Sequence, residues 1–141
     1  MRVVIIGSGL IGRCWSVIYA RAKYDVFLFD TMPQMLNSAL VEIGTQLEQL
    51  ARFNLSFNQA PSDILKRVQT VDSIEKLNEL FAQGIDHIQE CIPEDVEMKT
   101  NLFLQLDTTV PANAIIASSS SCIAPSQFTE KMKTRNRCIV A

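Results

Sequence analysis

The sequence predicts an α/β chain: a doubly wound, mostly parallel sheet with helices on both faces. Three observations lead there. Short apolar runs rich in β-branched residues alternate with amphipathic segments along the whole chain, the pattern of a parallel sheet covered on both sides. The first of these runs opens directly into a cluster of glycines. The chain has 141 residues, 48% of them hydrophobic, enough to bury one core and about right for one domain spanning 1–141.

Arg2–Ile6 is a continuous β-branched run and reads as a strand buried on both faces. Arg13–Lys23 is helical in pattern, with Trp15, Ile18, Tyr19 and Ala22 at helical spacings. Asp25–Asp30 is a second apolar strand that ends in a carboxylate. Pro33 suits the first turn of a helix, and from Gln34 to Phe53 the residues Met35, Leu36, Leu40, Ile43, Leu47 and Leu50 form an apolar stripe. After an irregular stretch, Ser62 is expected to cap a short helix reaching Val68, with Asp63 in its first turn. Val68–Val71 reads as a strand, and Asp72 or Ser73 caps a helix through Phe81 that Gly84 closes. His87–Ile92 is the next strand, stopped by Pro93, and Glu94–Leu106 is amphipathic. Ala114–Ala117 is a strand running into Ser118–Ser121. Pro125–Lys131 makes one or two helical turns, and Arg137–Ala141 begins a last strand.

Three of the five glycines fall within six residues, at Gly7, Gly9 and Gly12. Alone, such a G-x-G-x-x-G is a common turn. Between a strand and a helix, with Asp30 eighteen residues beyond Gly12, it has the context of a Rossmann-type dinucleotide fold. Gly7 permits the tight turn, Gly9 lets the backbone approach a pyrophosphate, and Gly12 lets helix and strand pack closely. Free N–H groups at the helix start favour the phosphates. Asp30 would accept from the adenosine ribose hydroxyls and repel a 2′-phosphate, and Thr31-Met32-Pro33 supplies no arginine to receive one. The cofactor expected is therefore NAD. A ligand-free turn, a flavin site and a methyl-donor site share this layout.

Composition closes off other classes. Thirteen basic against fifteen acidic residues leave a net charge of −2, so we expect no nucleic-acid partner. No apolar run reaches a membrane span. Four cysteines without a C-x-x-C pair fit neither a disulfide scaffold nor a zinc module, and no metal site is expected. The opening residues lack the flank and cleavage site of a secretory signal. A cytoplasmic protein is the expectation.

Ligands of doubly wound sheets lie beyond the C-terminal strand ends, which directs attention to Cys91–Glu94 and Ser118–Cys122. Glu94 in a first helical turn, and Lys99 on that helix, read by themselves as surface residues. The four serines either place hydroxyls and amides at the active edge or form a polar loop before Pro125. His87, the only histidine, starts a strand on the far side from this edge and reads as structural. The cysteines read as core thiols. Cys122 stands beside the serine loop, with no basic neighbour in sequence to activate it. Alcohol oxidation needs a base, and none is visible beside the serines.

Ile6-Gly7-Ser8-Gly9-Leu10-Ile11-Gly12-Arg13, His87-Ile88-Gln89-Glu90-Cys91-Ile92-Pro93-Glu94, Ser118–Cys122 and Arg137–Ala141 together resemble the NAD-binding domain of the 3-hydroxyacyl-CoA dehydrogenase family, in particular its lambda-crystallin and L-gulonate 3-dehydrogenase branch. The resemblance implies oxidation of the 3-hydroxyl of a hydroxy acid or hydroxyacyl-CoA by hydride transfer to NAD. It implies backbone contacts from Leu10 and Ile11 and a ribose contact from Asp30. It sets Glu94 and Lys99 beside the cofactor and Ser121 near the nicotinamide and the substrate hydroxyl, as the polar partner in catalysis. It further implies that a catalytic histidine, its orienting glutamate and a helical domain for substrate and homodimer contacts follow the strand ending at Ala141. The 141 residues alone are then expected to bind NADH without turnover. A non-catalytic NAD-binding or structural module is the alternative.

Overall fold

Six segments pair as strands, all parallel: β1 (Arg2–Ile6), β2 (Asp25–Phe29), β3 (Val68–Val71), β4 (His87–Glu90), β5 (Ile115–Ser118) and β6 (Cys138–Val140). They were located in a computed structural model, which describes residues 1–141. Their spatial order is β3-β2-β1-β4-β5-β6. The chain therefore builds outward from β1 to β3, then crosses back to begin β4 on the other side of β1. Loops leaving β1 and β4 diverge at that reversal, and the cleft of such a sheet opens there.

The connecting helices are α1 (Leu10–Arg21), α2 (Pro33–Arg52), α3 (Pro61–Leu65), α4 (Ile74–Ala82), α5 (Val96–Thr109) and α6 (Ser126–Thr129), with a 3₁₀ turn at Arg135–Arg137. Alternation along the strands sorts them into two layers. Val3, Ile5, Val26 and Leu28 point to one face and bury Val17, Leu36, Ile43 and Ile64 of α1, α2 and α3. Val4, Ile6, Phe27, Phe29 and Ile88 point to the other, against Leu77, Phe81, Phe103 and Phe128 of α4, α5 and α6. Both faces are covered, as the apolar strands require.

Several boundaries differ from the sequence reading, each for a local reason. Helix α1 begins at Leu10, inside the glycine motif, because the glycines make its cap and first turn. Helix α3 is shorter than expected and is not capped by Ser62. Ala60 is its N-cap and Pro61 takes the first position, where the missing N–H is harmless. Ser73, not Asp72, caps α4, accepting from Lys76 N–H at 3.3 Å, while Asp72 pairs with the Lys76 ammonium at 2.7 Å. Strand β4 stops at Glu90 because Ile92 N–H turns onto the Glu90 carboxylate at 2.8 Å. Helix α5 starts at Val96 with Asp95 as cap, accepting from Met98 N–H at 2.8 Å. Glu94 thus lies in the loop ahead of the helix and not in its first turn. Met35 of the predicted stripe is exposed and lines the cleft; the buried line on α2 is Leu36, Ala39, Ile43 and Leu47.

Phe103 is fully buried on α5 and packs edge-on against Phe128 of α6 with ring centroids 4.7 Å apart. Phe103→Ala is expected to cost about 3–5 kcal/mol, read from urea unfolding of the two proteins. A loss below about 1 kcal/mol would contradict a well-packed site there.

Candidate functional site

The glycine turn owes its shape to two contacts. Gly7 adopts φ of +104°, and a Cβ there would lie 2.6 Å from the Cys91 carbonyl oxygen. A Cβ on Gly12 would meet the Gly7 carbonyl oxygen at 1.9 Å. No side chain fits at either position, so α1 comes directly against the end of β1. Gly9 has nothing within 4 Å on its Cβ side. It caps α1 without any side-chain hydrogen bond. The first helical bond runs from Arg13 N–H to the Gly9 carbonyl at 3.0 Å, so the amides of Leu10, Ile11 and Gly12 have no helical acceptor. Leu10 and Ile11 are half exposed or more. The helix dipole and these amides suit an anion the size of a pyrophosphate.

Asp30 follows β2 and folds back over the turn. Its Oδ2 accepts from the Ser8 amide at 2.8 Å and the Ser8 hydroxyl at 2.7 Å, and its Oδ1 from the Met32 amide at 2.9 Å. Burial alone would raise its pKa, but the hydrogen bonds from Ser8 and Met32 outweigh it and hold the carboxyl below its ordinary value. Asp30 is therefore an anion with acceptor capacity left on Oδ1 for a hydroxyl donor. The motif gave Ser8 no role; the structure makes it the residue that orients Asp30.

These groups face one cleft of about 1000 Å³ over the C-terminal strand ends. Its walls include Gly7, Gly9, Leu10, Ile11 and Asp30 on one side and Cys91, Glu94, Ser119 and Ser121 on the other, with α4 and α5 flanking. The wall carries two carboxylates, Asp30 and Glu94, and no lysine or arginine.

The serine loop is held by Glu94. Its Oε1 accepts from the Ser121 amide at 2.5 Å and the Cys122 amide at 3.3 Å, and its Oε2 from the Ser120 hydroxyl at 2.8 Å. Led by the Ser121 amide, these bonds draw the Glu94 pKa down to about 2. The Ser121 hydroxyl makes no hydrogen bond within the chain and faces the cleft, free for a ligand. Lys99, by itself a surface reading and by resemblance a neighbour of the cofactor, is 1% exposed. It stands behind the wall, its ammonium 2.7 Å from Glu90 Oε1 and 3.7 Å from Glu94 Oε2. It reaches the cleft through Glu94.

Glu90 is the second residue the sequence reading left unassigned. Its signal was present: a carboxylate inside a short strand whose four residues are all buried must find a partner. His87 lies at the opposite end of β4, on the α1 face, with Nε2 3.0 Å from Tyr19 OH and 3.1 Å from Gln89 Oε1. Burial lowers its pKa. Gln89 in turn donates to Ser119 Oγ at 2.8 Å, which also accepts from the Trp15 indole at 2.9 Å. Among the cysteines, Cys91 is on the cleft wall with its thiol pushed up to about 11 by burial, and Cys122 is exposed beside Glu94.

A parallel sheet reversing at β1 and β4, a glycine-capped helix and an acid after β2 define a Rossmann-type dinucleotide-binding domain. The family model described as "3-hydroxyacyl-CoA dehydrogenase, NAD binding domain" matches residues 2–141, and the chain belongs to that family. It is 33% identical over 139 residues to the lambda-crystallin of Oryctolagus cuniculus, covering 99% of this chain and 43% of that one. Against the L-carnitine dehydrogenase/betainyl-CoA thioesterase of Agrobacterium fabrum it is 30% identical over 141 residues, 100% of this chain and 28% of the other. The solved 3-hydroxybutyryl-CoA dehydrogenase of Escherichia coli K12 superposes with a TM-score of 0.87 at 25% identity, over 99% of this chain and 29% of that one. The chain thus spans less than half the length of these relatives. No helix is long and apolar enough to cross a membrane.

The Glu94 clamp has a testable pH signature. With its pKa drawn from about 4.5 to about 2 in the folded chain, its stabilisation is complete above the higher value and fades as pH falls toward the lower. The Tm advantage of wild type over Glu94→Gln is expected to be largest near neutral pH and to close across that interval. A difference independent of pH would contradict the clamp.

Proposed function

We propose that this chain is the nucleotide-binding part of a longer, two-domain dehydrogenase that oxidises the 3-hydroxyl of a hydroxy acid or hydroxyacyl-CoA. One observation carries the reading. The unpartnered amides at the start of α1, the oriented Asp30 carboxylate and the free Ser121 hydroxyl converge on a single cleft at the sheet reversal. Bound NAD would supply the acceptor for the substrate hydride. The chain's own residues do the rest.

In this reading Gly7, Gly9 and Gly12 allow the backbone its close approach, and Leu10 and Ile11 donate amides to the pyrophosphate. Asp30 accepts from the adenosine ribose. The absence of any cation from the wall favours NAD over its 2′-phosphate. Glu94, backed by Lys99, sets the serine loop at the nicotinamide end, and Ser121 offers its hydroxyl to the substrate oxygen. His87 is buried at the far end of β4 against Tyr19, so the base that takes the proton is assigned to another part of the longer protein, as are most substrate contacts and a homodimer interface. Four free thiols fit a reducing compartment such as the cytoplasm. The lambda-crystallin names among the relatives favour a second reading, a non-catalytic NAD-binding or structural module, which full-length turnover of a 3-hydroxy acid would exclude.

The 141-residue chain is expected to bind NADH and to show no dehydrogenase activity alone. Trp15 is the only tryptophan, and its bond to Ser119 puts it at the cleft edge, so energy transfer from Trp15 to bound NADH reports binding. Absence of transfer at saturating NADH would count against the site, and turnover by this chain would count against the assignment of the base elsewhere. Asp30→Ala is expected to weaken NADH binding by roughly 1–3 kcal/mol, the range for losing hydrogen bonds to a charged acceptor. Calorimetry showing unchanged affinity would remove Asp30 from the ribose.

A further inference from the structure

The end of β4 carries a carboxylate that the proposed reaction does not use directly. Glu90 is fully buried, and both its oxygens are engaged. Oε1 accepts from the Lys99 ammonium at 2.7 Å and from the Ile92 amide at 2.8 Å. Oε2 accepts from the Ser118 hydroxyl at 2.5 Å. Its main-chain carbonyl accepts from the Ser119 amide at 2.9 Å, and the Ser118 hydroxyl oxygen accepts from the Ser120 amide at 3.2 Å. One residue thus joins three segments: the loop leaving β4, helix α5 and the serine loop.

Lys99 carries the connection onward. Its ammonium lies 3.5 Å from the Ile92 carbonyl oxygen and 3.7 Å from Glu94 Oε2, and Glu94 holds Ser120, Ser121 and Cys122. An apolar side chain would fill the place of Glu90 at lower desolvation cost, since replacing a buried ion pair by hydrophobic residues is often neutral or stabilising. What an apolar residue would lack is an acceptor for Ser118, Ile92 and Lys99 together. Packing accounts for burial at this position; it does not account for a carboxylate.

We propose that Glu90 is a positioning residue for the nicotinamide end of the site. With Lys99 it fixes the serine loop and Glu94, and thereby the place of Ser121, without touching cofactor or substrate. The inference rests on the dehydrogenase reading, because it takes the serine loop to meet the nicotinamide. It separates two ends of one cleft: the adenosine end, built by the glycine turn, Ser8 and Asp30, and the far end, built on Glu90.

The test compares NADH with ADP-ribose, which retains the adenosine and pyrophosphate but lacks nicotinamide. Calorimetry on the 141-residue chain gives both affinities for wild type, Glu90→Ala, Glu90→Gln and Lys99→Met. Wild type is expected to prefer NADH. Glu90→Ala and Lys99→Met should weaken NADH about tenfold or more, equivalent to roughly one lost contact, while ADP-ribose affinity stays put. Glu90→Gln keeps one acceptor oxygen, enough for the Ile92 amide, and should lose less than Glu90→Ala. If the buried single variants do not fold, the double variant Glu90→Gln with Lys99→Met removes both charges together and carries the same comparison. Unchanged NADH preference in the folded variants would overturn the proposal alone. So would parallel weakening of both ligands, the mark of a merely structural role. A wild type without preference would overturn the nicotinamide-end reading and this proposal with it.

Discussion

Helix α1 meets the end of β1 with no room for a side chain between them. At Gly12 a single added carbon would sit 1.9 Å from the Gly7 carbonyl oxygen, so the packing tolerates hydrogen and nothing larger. That approach aims the first turn of α1 across the sheet edge and leaves its leading amides without acceptors. It also sets Ser8 where its amide and hydroxyl can both reach Asp30. The end of the cleft proposed for the adenosine therefore follows from backbone geometry, with few side chains involved.

The other end is built differently. There the polar groups are side chains buried at the ends of β4 and β5 and on α5. Glu90, Lys99 and Ser118 occupy a layer that Val4, Ile6 and Phe29 fill elsewhere, and each is satisfied by the others. Buried polar groups are costly unless fully paired, and the pairing here extends to the surface through Glu94. The cleft thus joins a site made by leaving backbone groups open to one made by closing side-chain groups on each other. A dinucleotide, with its anionic middle and two chemically unlike ends, matches that division.

Most of the fold was legible because hydrophobic period and punctuation agree along the chain. The run Arg2–Ile6, the glycines and Asp30 led directly to the strand, turn and acid that the structure contains. What was not legible is instructive. Lys99 reads as a surface lysine because its helix gives no hint that a strand carboxylate nine residues earlier points at it. Glu90 draws no notice in the sequence because it follows Gln89 within a short strand and ends no visible motif. Glu94 was set on a helix because Asp95, the true cap, stands one residue further along. The bonds from Ser118 to Glu90 and from the serine loop to Glu94 exist only because β4 pairs with β5, which period and propensity do not encode.

In the proposed function NAD binds in this cleft, with the start of α1 on the pyrophosphate and the serine loop at the nicotinamide. Amide chemical shifts of the isotopically labelled chain, followed through an NADH titration, test it most directly. The largest changes are expected at Leu10, Ile11 and Gly12, with further changes at Thr31 and Ser121, and little change at Gln69 and Thr70 in β3. Saturable binding that leaves Leu10–Gly12 unmoved, or that shifts a surface away from the strand ends, would contradict it.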